Sequence, residues 1–128
     1  DTHMIDAGHG SIVNISSVLG MVGSAPVKEV SYCAAKGGVV NMTRALAAEW
    51  ARKGVRVNSI APGWFPTEMT QEQMFDDAAG LAYIERNTPM ARGGEPHELD
   101  HALLFLCGDG SSFVTGQVIA VDGGWLAR

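Results

Sequence analysis

Apolar positions along the chain follow two rhythms, and the alternation between them predicts the elements. After a turn bracketed by Gly8 and Gly10, Ser11-Ile12-Val13-Asn14-Ile15-Ser16 sets β-branched residues side by side, the pattern of a strand buried on both faces. Residues 18–30 hold two glycines and a proline with no helical period and read as a loop. From Tyr32 to about Lys53 the spacing becomes helical, with Val39, Met42, Leu46 and Trp50 on one stripe, Ser31 placed to cap the start and Gly54 the end. Val55 to Ile60 then alternates as a second strand, stopped by the Pro62-Gly63 turn. Residues 64–94 mix Trp64, Phe65, Met69, Met74, Phe75, Tyr83, Ile84 and Met90 with acids and glycines; a helix fits over 71–86, and the segment reads as a mobile lid over a substrate pocket. Pro96 opens another helix, with Leu99, Ala102, Leu103 and Leu106 on its apolar stripe and Gly108 past its end. Gln117 to Val121 forms a third strand before Asp122-Gly123-Gly124, and the opening Asp1 to Gly8 reads as the frayed end of a helix whose beginning is absent.

Strands separated by helices imply a parallel α/β sheet, because a crossover between parallel strands needs a dozen or more residues. Three strands with flanking helices form the C-terminal portion of a doubly wound, Rossmann-like fold, with no linker dividing residues 1–128. The first strand has no partner on its outer side, so another segment is expected to complete the sheet.

The 128 residues are 46% hydrophobic and 18% charged, enough to build a core, and the net charge of −5 has no basic cluster. Nucleic acid and anionic membranes are therefore poor partners. No run reaches the roughly 18 apolar residues of a membrane span, and the N-terminus lacks a secretory pattern. Cys33 and Cys107 stand far apart, which suggests neither a disulfide framework nor a metal site, and a reducing cytoplasmic setting is expected.

Candidate chemistry gathers at the strand ends. Tyr32 and Lys36 lie four apart at a helix start, so their side chains share a face. An ammonium near a phenol favours the phenolate, and a tyrosine so tuned can exchange protons near neutral pH. The ordinary reading of this spacing is a solvated helix face. Ser17 follows the first strand, where open parallel sheets form their ligand crevice, although serine there more often initiates a turn. Pro62-Gly63 ends the second strand at the same edge, with backbone groups of Trp64 and Phe65 and the Thr67 hydroxyl available to an amide or phosphate. Three polar sites converging on one sheet edge argue more strongly than any one of them.

Asn14-Ile15-Ser16-Ser17, Tyr32-Cys33-Ala34-Ala35-Lys36-Gly37-Gly38, Arg56-Val57-Asn58-Ser59-Ile60-Ala61-Pro62-Gly63 with Thr67, Thr115-Gly116-Gln117 and Val121-Asp122-Gly123-Gly124 together strongly resemble the short-chain dehydrogenases/reductases, from about Gly8 to Trp125. The resemblance implies an NAD(P)-dependent oxidoreductase acting on a small-molecule alcohol or carbonyl. In it Ser17 positions the substrate oxygen, Tyr32 transfers the proton, and Lys36 lowers the tyrosine pKa and bonds the nicotinamide ribose. Pro62, Gly63, Phe65 and Thr67 lie against the nicotinamide and a nearby phosphate, and Pro66 removes one backbone donor from that segment. The Ser17-to-Tyr32 spacing is longer than the family's commonest, so the loop is expected to bulge around Pro26 to Val30; Ser16 is a weaker occupant of the serine role. The glycine-rich pyrophosphate turn, the residue that chooses NAD or NADP and the catalytic asparagine belong to an N-terminal half not present here. The chain therefore reads as the C-terminal half of one domain, homodimeric or homotetrameric in its full-length form, with the isolated half poorly able to bind cofactor.

Two rivals come from other classes. His97-Glu98-Leu99-Asp100-His101 matches the H-E-x-x-H pattern of zinc proteases, but no Glu or His follows to supply a third ligand, and no metal is expected. A non-catalytic binding or oligomerisation remnant is the other. Gly-x-Ser-x-Gly is absent, which disfavours a serine hydrolase.

Overall fold

The computed structural model describes residues 2–128, so Asp1 of the expected frayed helix lies outside the described residues. A short helix α1 (Thr2–Ala7) leads into strand β1 (Gly10–Ile15), then the long helix α2 (Val30–Trp50) and the central strand β2 (Val55–Pro62). A single turn α3 (Glu68–Thr70), a π turn (Gln71–Phe75) and helix α4 (Ala78–Asn87) follow, then helix α5 (His97–Cys107) and strand β3 (Val118–Val121). The sheet has the order β1-β2-β3 and is parallel throughout, with Ile12 opposite Val57, Ile15 opposite Ile60, and Pro62 opposite Val121.

Alternation along β2 divides its side chains between two helical layers. Val55 and Val57 are buried against Ala47 of α2, with Met4, Ile5, Ile12, Leu46 and Trp50 packed around them. Arg56 points the other way, toward α5. Its guanidinium donates to Leu106 O, Gly108 O and Ser111 Oγ, placing a cation on the last carbonyls of α5 where the helix dipole is negative. Asn58 is fully buried and donates from Nδ2 to Val114 O at 2.8 Å while Oδ1 accepts from Gln117 N at 3.0 Å. That side chain adds to the backbone bonds Gly116 N to Val57 O and Ser59 N to Gln117 O in fastening the segment that leads into β3.

Several sequence expectations change on folding. Ser31 does not cap α2: the helix starts at Val30, two residues earlier than expected, Glu29 is the cap residue without a side-chain bond, and Ser31 falls inside the first turn. The buried stripe of α2 is Val40, Thr43 and Ala47, whereas Met42 is exposed. Small and β-branched residues let the helix close on the sheet, and the Thr43 hydroxyl is satisfied by Val39 O and Asn14 Nδ2. Gly54 does cap the following turn, at φ 78°. The expected helix over 71–86 is broken into the π turn and α4, because Asp77 caps α4 by accepting from Gly80 N. On α5, Leu106 is buried but Leu103 is exposed beside Leu104 and Phe105. β1 is only half-buried, with Ile15 51% exposed, since its outer edge meets nothing among the described residues.

The approach to α5 is fastened by a bidentate ion pair. Arg92 donates from both Nη atoms to Glu98 at 2.8 Å, and Glu98 also accepts from Glu95 N. The Arg92 guanidinium first, and the Glu95 amide second, hold the Glu98 carboxyl down at about 2. A depressed carboxyl pKa means the clasp is fully formed above the ordinary glutamate range and is lost as pH falls toward 2. Titration followed by NMR should place the Glu98 midpoint near 2 in the native protein and return it toward about 4.3 in Arg92→Ala; an unmoved midpoint in the variant would refute the clasp. Asn58→Ala should destabilise the fold by about 3 kcal/mol, because the fully buried Asn58 side chain loses two hydrogen bonds and leaves a cavity behind. Urea unfolding measures this directly, and a loss below about 1 kcal/mol would show that other groups satisfy Val114 and Gln117.

Candidate active site

The C-terminal ends of the strands meet in a polar edge built by hydroxyls. Ser16 N and Ser16 Oγ both donate to Ile60 O, and Ser59 Oγ donates to Ser16 Oγ at 2.8 Å and lies 3.1 Å from Asn14 O. These bonds lock the end of β1 to β2 and occupy Ser16 fully. Ser17 is therefore delivered at a fixed place, largely buried at 7% exposure, where its Oγ accepts from Leu19 N and starts the turn Val18–Gly20. The turn-initiating role and the candidate chemical role coincide, since a hydroxyl that accepts from a backbone amide keeps its own hydrogen to donate.

That turn packs on α2, with Gly20 against the backbone of Lys36. Lys36 Nζ donates to Ile15 O at 3.1 Å and stands 5.8 Å from the Tyr32 ring centroid. The ammonium is thus tied to the end of β1 and to the face of the tyrosine, whose side reaches solvent at 37% exposure. Lysine has three donors and one is used here, which leaves two for a ligand. Ser17, Tyr32 and Lys36 are carried by adjoining segments at one end of the sheet.

The Pro62-to-Thr67 segment continues β2 past the same edge. Gly63 N donates to Val121 O, and a Cβ on Gly63 would lie 2.8 Å from Asp122 Cα, so only glycine permits this approach. Phe65 is buried; its carbonyl accepts from Thr70 Oγ1, and Trp64 O accepts from Gly94 N. Thr67 Oγ1 caps α3 through Thr70 N, and Thr70 Oγ1 accepts from Thr67 N. Of the backbone groups and hydroxyl expected to face a ligand, the Trp64 and Phe65 carbonyls and Thr67 Oγ1 are thus tied to Gly94 and Thr70, which lie just beyond the segment. Trp64, Tyr83 and Trp125 form an edge-packed aromatic cluster with centroids about 6 Å apart.

The protease-like pattern has a different use. Glu98 is held by Arg92 and Glu95 N, and His97 Nδ1 lies 3.3 Å from Glu95. Among the described residues no three His, Cys, Asp or Glu side chains gather as a metal site requires. Sequence reading quoted Arg56, Asn58, Ser59 and Glu98 within motifs but missed their structural roles, and it missed Arg92; for the first three the available signal was polar residues interrupting an otherwise apolar buried strand.

Comparison with known proteins agrees with this geometry. The family model described as enoyl-(acyl carrier protein) reductase matches residues 2–126. Galactitol 2-dehydrogenase (L-tagatose-forming) of Cereibacter sphaeroides is 47% identical over 122 residues, covering 95% of this chain and 48% of that protein. A 3-oxoacyl-[acyl-carrier-protein] reductase, FabG, of Chlamydia trachomatis is 44% identical over 121 residues, covering 94% and 47%. A crystal structure of gluconate 5-dehydrogenase from Burkholderia cenocepacia, in complex with NADP and tartrate, superposes with a TM-score of 0.92 at 41% identity, covering 99% of this chain and 49% of that one. The chain spans about half the length of the relatives it matches. With its parallel sheet, its serine, tyrosine and lysine at one edge and a family match along nearly its whole length, the chain belongs to the short-chain dehydrogenase/reductase family.

Proposed function

We propose that this chain is the catalytic half of a longer NAD(P)-dependent oxidoreductase that interconverts a small-molecule alcohol and its carbonyl. The observation that carries this reading is the Lys36 ammonium bonded to Ile15 O and facing the Tyr32 ring at the C-terminal edge of the sheet. The remaining Lys36 donors suit the hydroxyls of a ribose, and the glycine at position 63 lets the following segment lie close to the sheet edge, so the residues present fit a nicotinamide dinucleotide. When bound, that group supplies the hydride chemistry.

The protein's own residues do the rest. Ser17 Oγ donates its free hydrogen to the reacting oxygen and fixes its position. Tyr32 Oη gives a proton to that oxygen in reduction and takes it back in oxidation. Lys36, held beside the Tyr32 ring, bonds the ribose. Pro62, Gly63, Phe65 and Thr67 form the wall against the nicotinamide. Residues 64–94, with their aromatic and methionine side chains, serve as the substrate lid.

The pyrophosphate turn and the choice between NAD and NADP come from the N-terminal half, which supplies the strand that the outer edge of β1 needs. The complete protein assembles as a homodimer or homotetramer through the exposed Met42 side of α2 and the Leu103-Leu104-Phe105 face of α5. The proposed setting is the cytoplasm, which suits the two free thiols Cys33 and Cys107.

In the complete protein, or in this chain joined by a separately supplied N-terminal half, Tyr32→Phe should lower kcat by about 100- to 10,000-fold, the span of general acid–base catalysis. Oxidation of reduced nicotinamide, followed by its near-ultraviolet absorbance against a panel of carbonyl-bearing sugars, steroids and acyl thioesters, reads the effect. A loss under about tenfold would take the proton-transfer role from Tyr32. A well-folded complex inert to every substrate would favour the non-catalytic remnant instead.

A further inference from the structure

The geometry points to Asp122 as a positioning residue for the cofactor-facing segment, acting from behind it through the C-terminal turn. The inference rests on the dehydrogenase reading above. Asp122 immediately follows β3, and both of its carboxylate oxygens are used locally: Oδ1 accepts from Gly124 N and Oδ2 from Leu126 N, each at 2.9 Å. These bonds fold residues 122–126 into a turn and place the Trp125 side chain, 8% exposed, against Trp64 and Tyr83.

The same turn touches the cofactor segment at consecutive residues. Gly63 lies on the Asp122 backbone so closely that no Cβ fits between them, and Gly63 N donates to Val121 O. Trp64 packs edge-on against Trp125, with ring centroids 6.2 Å apart, and its carbonyl accepts from Gly94 N. One face of residues 63 and 64 is thus fixed by the C-terminal turn, and the segment's position along the sheet edge follows from the shape of that turn. The proposed role is indirect: through the turn that its carboxylate shapes, Asp122 determines where Phe65 and Thr67 are presented. Loss of its bonds would leave the segment to be ordered by the dinucleotide on binding, a cost that appears in cofactor affinity.

The test uses the complete protein, with amide hydrogen exchange at Trp64, Phe65 and Thr67 measured beside steady-state kinetics. Asp122→Ala should speed exchange at those amides and raise the KM for the dinucleotide about tenfold, with a smaller change in kcat. Asp122→Asn keeps one acceptor oxygen and should recover most of the effect, leaving a rise of about threefold. Trp125→Leu keeps both carboxylate bonds but removes the ring from Trp64, and covers the case in which Asp122→Ala does not fold; it should raise the same KM about threefold. Unchanged exchange at residues 64–67, or an unchanged dinucleotide KM in a cooperatively melting variant, overturns the positioning role. A wild-type protein that binds no dinucleotide removes the dehydrogenase reading and this role with it, whereas a wild type that binds and variants that match it remove this role alone.

Discussion

A central strand that buries an asparagine and a serine, and half-buries an arginine, has to pair each of them inside the protein, because unpartnered polar groups in a core are costly. In β2 each polar side chain reaches a different neighbour. Arg56 holds the end of α5, Asn58 holds the approach to β3, and Ser59 holds the end of β1 through Ser16. The apolar residues between them could pack against many helices in many registers. The polar ones accept only one arrangement, and that arrangement brings three strand ends level and delivers Ser17 and Gly63 at one edge.

Much of this was legible beforehand because it depends on local pattern. The parallel topology follows from strands too far apart in sequence for hairpins, and β2 was bounded by the Pro62-Gly63 turn. Tyr32 and Lys36 share a face for reasons of helix geometry alone. What escaped depends on tertiary partners. No spacing rule says that Thr43 would be buried while Met42 stays exposed; the choice depends on Asn14 lying opposite to satisfy the threonine hydroxyl. The open outer edge of β1, by contrast, was legible, since two-sided apolarity reports what a strand is built to meet and the described residues offer no strand to meet it there.

The site shows a similar division. Residue types and order placed the serine, tyrosine and lysine together, but not the ties that hold them: the Lys36 bond to Ile15 O arises because the turn after Ser17 seats on α2. The H-E-x-x-H pattern misleads because a linear motif states which residues are adjacent and not which are already occupied. Glu98 serves Arg92, six residues upstream, a partner no zinc-site template includes.

The segment between Trp64 and Met90 is anchored at both ends by contacts made to the sheet and to α5. Gly63 rests on Asp122 at one end, and Arg92 grips Glu98 at the other. Between these anchors its helices pack largely on one another and on the C-terminal turn. Such a segment behaves as a replaceable cassette: a change in its length or composition leaves the anchors, the strand ends and Ser17, Tyr32 and Lys36 in register. In the reading proposed above, in which this segment is the substrate lid, change within it alters which molecule is admitted while the strand ends and their polar ties stay as they are.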